Sequence, residues 1–134
     1  SALCGSRELI REARRLRKRL GGGMRQVGVL AAAALWALEH NVQRLEEDHR
    51  SARRLAEGLA ELPGVELDLD RVKTNMVFVR FPVTAVEAVS RLRELGVLAN
   101  PEGSDAWTVR MVTHHDAPMA QIEEALERIQ KRGQ

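Results

Sequence analysis

Arg110 stands between Val109 and Met111 in the stretch "AWTVRMVTH". If that stretch is a strand, alternation puts Arg110 on the face opposite its apolar neighbours, together with Thr108 and Val112. A guanidinium there needs a partner, and its planar fork matches a carboxylate bidentately. Two partners fit: an internal Asp or Glu, or the carboxylate of a substrate. Structural ion pairs are common, so position alone favours the internal one. A second candidate lies in "KRLGGGMRQVG", Lys18 to Gly28. Three consecutive glycines mark a backbone that bends sharply or approaches something closely. If they open a helix, the free N–H groups and the positive end of the dipole, with Arg25 one turn in, suit an anion such as a phosphate. The plainer reading is an elbow between two helices, and the run lacks the spacing of either standard nucleotide-binding loop.

The histidines offer less. His114 and His115, adjacent on a strand, would point to opposite faces and make a poor metal site. His40 and His49 share no ligand spacing and read as helix-surface or core residues, so no metal centre is expected. Between Arg7 and Arg19 six arginines and one lysine face only Glu8 and Glu12. No aromatic residue interleaves with them, and the chain holds two Trp, two Phe and no Tyr. A solvated face or the wall of an anion site therefore suits this segment better than nucleic-acid binding.

The elements that must position these residues follow from pattern and composition. At 134 residues, 44% hydrophobic and 30% charged, the chain is long enough to bury roughly two thirds of its unfolded surface. Its net charge of +2 is weak evidence for a polyanionic partner. A single cysteine, Cys4, and the lack of a charged-then-apolar leader point to a reducing compartment, the cytoplasm. Leu9, Ile10, Ala13, Leu16 and Leu20 form one stripe of a first helix. "VGVLAAAALWAL", Val27 to Leu38, is too short for a membrane span and reads as a helix that is apolar all round and so covered by other protein.

A third helix is expected from near Asn41 to "LPG", with Val42, Leu45, His49, Ala52, Ala56 and Leu59 on its inner stripe. Beyond Pro63 the period changes. "VELDL" and "NMVFVRF" read as strands, and "VTAVEAVSRLRELG" as a helix capped by Thr84 and stopped at Gly96. "VLAN" and "AWTVRMVTH" are strands around the turn "PEGSD". A last helix is expected behind Asp116 as cap, with Pro118 in its first turn and Ile122, Leu126 and Ile129 inward. The fold class is α+β, a small antiparallel sheet with two helices on one side.

Taken together, "ARRLRKRLGGGMRQVGVLAAAALWALEHN", "RLEEDH", "RRLAEGLAELPG", "TNMVFV" and "VRMVTHHD" resemble the carboxy-terminal part of the low-specificity threonine aldolases. The likeness covers essentially the whole chain. That family consists of pyridoxal-phosphate enzymes of the aspartate-aminotransferase-like α/β fold, which cleave threonine and related β-hydroxy-α-amino acids to glycine and an aldehyde. The resemblance implies that residues 1–41 finish the large cofactor domain and that residues 42–134 form the small domain. It implies a homo-oligomer, commonly a tetramer, in which the large domain and a neighbour cover the apolar helix. The implied chemistry is retro-aldol cleavage: the substrate amine forms an imine with pyridoxal phosphate, a base removes the β-hydroxyl proton, and the Cα–Cβ bond breaks.

At the matching positions Arg110 holds the substrate carboxylate, Arg25 lies near the cofactor phosphate, and Lys18 adds a cationic contact near the active site. The imine-forming lysine of relatives matches a position upstream of Ser1. The resemblance thus implies the carboxy-terminal portion of such an enzyme, inactive by itself. The alternative is a non-catalytic binding or assembly module derived from the family.

Overall fold

The computed structural model describes residues 2–132, which divide into two compact units, Ser1–Asn41 and Val42–Gln134. In the first, α1 runs Arg7–Arg19 and α2 runs Gly28–His40. Ser6 caps α1, its hydroxyl accepting from the Leu9 N–H at 3.2 Å. At the other end Gly21 takes φ +83°. Its N–H donates to the Lys18 carbonyl at 3.2 Å, and the Gly22 N–H donates to the Arg17 carbonyl at 2.8 Å. This nested pair of bonds is how a helix closes through a left-handed residue.

The two following glycines pass close to the last turn of α1. A Cβ on Gly22 would lie 3.1 Å from the Arg17 carbonyl oxygen, and one on Gly23 would lie 2.4 Å from Lys18 Cδ. The glycine run thus ends α1 and does not open α2, and Arg25 precedes α2 instead of sitting one turn into it. The expected placement is corrected because Gly21 to Gly23 are consumed in turning the chain back over Arg17 and Lys18. Gln26 then adopts φ 50°, and the Val27 carbonyl accepts the first helical bond of α2.

α2 is apolar on every side, as its sequence indicates, and none of its residues is buried. Val29, Leu30, Leu35, Trp36 and Leu38 are each more than half exposed. Trp36 stacks on His40 with ring centroids 4.5 Å apart, and His40 Nδ1 donates to the Trp36 carbonyl at 2.8 Å. His40 is therefore a helix-surface residue.

The second unit contains α3 (Leu45–Ala60), a single 3-10 turn (Leu69–Arg71), β1 (Met76–Arg80), α4 (Ala85–Glu94), β2 (Asn100–Pro101), β3 (Thr108–Val112) and α5 (Met119–Arg132). The antiparallel sheet has the order β1-β3-β2. Val77 pairs with Met111 and Val79 with Val109, and all four side chains are buried on one face. Ala52, Leu55, Ala56 and Leu59 of α3, Ala85, Ala88 and Leu92 of α4, and Ile122, Leu126 and Ile129 of α5 complete the core. Burying a leucine such as Leu59 stabilises the fold by about 1.5–3 kcal/mol. Arg54 joins α3 to α5 through a bidentate pair with Glu123, at 2.7 and 2.8 Å.

Several local expectations change. Three helices cover the sheet, because α3 contributes a full stripe to the same core. That stripe starts one turn later than the sequence suggested: Asp48 and Leu55 are buried, whereas Val42, Leu45 and His49 are exposed. "VELDL" supplies only one bridge, Glu66 to Arg80, before Asp68 accepts from the Asp70 N–H and turns the chain. β2 keeps only Asn100 of "VLAN" and adds Pro101 from the expected turn. α4 begins and ends as expected, with the Thr84 hydroxyl accepting from the Glu87 N–H at 3.3 Å and Gly96 at φ +78°.

α5 begins at Met119, where the Pro118 carbonyl accepts from Ile122. Asp116 does not cap it: the helix starts three residues later, and Ala117, the residue before Pro118, is the one pushed out of the helical region.

Candidate functional site

The three helices seal one face of the sheet and leave the other open. β1 presents Met76, Phe78 and Arg80 there, and β3 presents Thr108, Arg110 and Val112, by the alternation that buries their neighbours. Register sets Phe78 directly across from Arg110 on one side and Asn100 across from it on the other. The guanidinium thus rises between an aromatic ring and a neutral amide, and it is exposed. Arg110 forms no ion pair or side-chain hydrogen bond among the described residues. The internal salt bridge favoured on position alone is therefore corrected: the neighbouring carboxylates are engaged elsewhere.

Those engagements lie in the 102–107 loop. Asp105 accepts from the Trp107 N–H at 2.7 Å, the Thr108 N–H at 2.6 Å and the Thr108 hydroxyl at 2.9 Å. Arg80 approaches it at 3.8 Å. These donors, the two backbone amides foremost, hold its carboxyl below the ordinary value of 3.8. Glu102 accepts from the Ser104 hydroxyl and from the Ser104 N–H at 2.8 Å. Those two contacts, with a smaller contribution from the Arg110 charge, hold it below 4.5. The loop is also fastened to α4 through the Ala85 N–H and the Ala106 carbonyl, at 2.8 Å.

A depressed carboxyl stabilises the fold fully above its unfolded value and loses that contribution as pH falls through the folded one. Asp105→Ala should therefore lower Tm at pH 7, and the gap to wild type should close as pH drops below 3.8. Thermal melts of both proteins across that range check this, and a gap independent of pH would remove Asp105 as its source.

Lys18 and Arg25 belong to the first unit, whereas Arg110 belongs to the second. Lys18 is an exposed residue of the last turn of α1, its stem lying against Gly23. Arg25 is exposed in the bend before α2. The start of α2 has no side-chain cap and no acidic residue in its first turn, so its first N–H groups keep their capacity for an anion.

His114 and His115 lie past the end of β3, not on it. Both line a hollow of about 430 Å³ with Arg44, Asp48, Arg50 and Ser51. The strand stops because the Thr113 hydroxyl donates to the Asp48 carbonyl at 2.7 Å and Asn75 donates to the Thr113 carbonyl at 2.8 Å. His114 Nδ1 accepts from the Asp116 N–H at 3.2 Å. Among the described residues no group of three or more His, Cys, Asp or Glu is placed to hold a metal ion. No described helix is long and apolar enough to cross a membrane.

Asn100, Phe78 and Glu102 are parts of the open face that the sequence did not single out. Asn100 before Pro101 is the usable signal, since proline in a sheet marks an edge strand. Its pairing with Arg110 depends on register.

A family model described as beta-eliminating lyase matches residues 1–82. The chain is 43% identical over 135 residues to the probable low-specificity L-threonine aldolase 2 of Arabidopsis thaliana, covering 98% of this chain and 38% of that protein. It is 42% identical over 127 residues to the low specificity L-threonine aldolase of Escherichia coli (strain K12), covering 92% and 35%. A solved PLP-dependent aminotransferase from Streptococcus suis 89-1591 superimposes with a TM-score of 0.57 at 19% identity, over 77% of this chain and 28% of that one. That likeness shows the fold. The chain spans a little over a third of the length of these two curated relatives.

Proposed function

The chain belongs to the beta-eliminating lyase family, and from that premise we propose that it is the carboxy-terminal portion of a pyridoxal-phosphate-dependent threonine aldolase, cleaving threonine or allo-threonine to glycine and acetaldehyde. The observation that carries the reading is Arg110. It is an uncompensated guanidinium on the open face of a sheet whose other face is sealed, in a chain 43% identical to a protein described as a threonine aldolase.

Arg110 takes the substrate carboxylate in its fork, with Asn100 and Phe78 as lateral walls. Holding the carboxylate at two points fixes the rotation of the substrate about Cα, and hence which of its bonds is aligned for cleavage. Pyridoxal phosphate, when bound, supplies the conjugated ring that accepts the electron pair left on Cα as the Cα–Cβ bond breaks.

The donor set of the first unit fits the phosphate of that group. Arg25 is free among the described residues, the start of α2 has uncapped N–H groups and no acid in its first turn, and Lys18 adds positive charge. Arg25 would hold the phosphate, and Lys18 contributes a cationic contact near the site. The imine-forming lysine is assigned upstream of Ser1, so the 134-residue chain is inactive alone. The complete enzyme is cytoplasmic and a homo-oligomer, a tetramer in this reading, whose surfaces cover α2.

The full-length enzyme carrying this chain, loaded with pyridoxal phosphate and given threonine, should release glycine and acetaldehyde in equal amounts. Threonine consumption without glycine would overturn the assignment.

A further inference from the structure

We propose that Glu102 is an internal competitor for Arg110, held off by Ser104, and that this tether sets how strongly Arg110 receives a carboxylate. The inference rests on the reading of Arg110 as the carboxylate site and adds a residue pair that tunes it. The Glu102 N–H donates to the Thr108 carbonyl at 2.8 Å, which carries the β2–β3 ladder one residue beyond Pro101. Alternation then puts Glu102 on the same face as Asn100, and Thr108 on the same face as Arg110. Glu102 and Arg110 are thus diagonal cross-strand neighbours, a separation of roughly 7–8 Å between residues that two long side chains can bridge.

Left free, these opposite charges would pair. Two features keep them apart. Gly103 takes φ +95°, folding the chain so that both the hydroxyl and the N–H of Ser104 meet the Glu102 carboxylate. The other acid of the loop, Asp105, is engaged by Trp107, Thr108 and Arg80. Ser104 is therefore the residue on which the openness of Arg110 depends. Releasing the Glu102 carboxylate lets it swing to the guanidinium, where an incoming carboxylate must displace it.

The test is a double-mutant cycle in the full-length holoenzyme, reading KM for threonine and Kd for glycine. Ser104→Ala removes the hydroxyl and leaves the N–H, which loosens the tether and should raise both by up to about fivefold, the upper end expected of an exposed ion pair, with kcat and Tm little changed. Glu102→Gln should leave both at or below the wild-type values. In the double variant the effect of Ser104→Ala should vanish, because the released side chain no longer carries charge. A rise that persists in the Glu102→Gln background would overturn the tether and assign Ser104 a structural role in the loop. No change in either single variant, while Arg110→Lys still impairs binding, would overturn the competition and leave the carboxylate site standing. If Arg110→Lys is also without effect, both readings fall together.

Discussion

Arg110→Lys in the full-length enzyme should lower kcat/KM for threonine about a hundredfold while leaving Tm close to wild type. The substitution keeps one positive charge but replaces a rigid fork with a point charge on a flexible stem. A carboxylate held at one point can rotate about the contact, and small misplacements of the bond to be broken cost about two orders of magnitude in rate. Stability should hold, because Arg110 is exposed on the open face and makes no ion pair among the described residues. The two readouts separate the roles cleanly. A variant that loses melting temperature and keeps its kinetics would show that Arg110 serves the sheet and not the substrate.

The second large effect is expected at Arg25. Arg25→Ala should weaken retention of pyridoxal phosphate about ten- to a hundredfold in equilibrium dialysis, the range for losing a hydrogen bond to a charged group. The ratio of kcat/KM for threonine over allo-threonine should stay constant at saturating cofactor. A phosphate anchor acts equally on ground and transition states, so it changes occupancy and not preference. An unchanged cofactor affinity would remove Arg25 from the phosphate.

How much of this was legible in the residues depends on the range of the interaction that fixes each feature. Thr84 and Gly96 announced the limits of α4 because a cap and a left-handed stop act within a few residues. The alternation of "TVRMV" placed Arg110 on the open face for the same reason. The glycine run misled because three glycines are compatible with either end of a helix. Only the bonds from Gly21 and Gly22 back to Lys18 and Arg17 decide that they close α1.

What lay out of reach was non-local. Nothing near Arg110 in the chain states that Phe78 and Asn100 flank it, since register joins three separate strands. The engagement of Asp105 by Thr108 and of Glu102 by Ser104 left Arg110 unpaired where position alone favoured a salt bridge. His49 was placed on the inner stripe because helical spacing allows it. The buried stripe is rotated, so that Asp48 turns inward with Arg44 at 3.4 Å.

The sheet also divides its labour by parity. Along β1 and β3 the even-numbered residues, 76 to 80 and 108 to 112, carry the open face, and the odd-numbered ones carry the core. Substitutions can therefore alter one set without touching the other, which leaves chemistry and folding free to drift separately. Insertions and deletions have no such freedom. Removing Val109, the one residue between Thr108 and Arg110, would send the guanidinium into the apolar interior and bring Met111 out of the core onto the open face, since a slip of one residue exchanges the faces of a strand. The 102–107 loop is the nearest place where a change of length can be absorbed without that exchange, because it joins two strands whose faces are fixed by their own pairing.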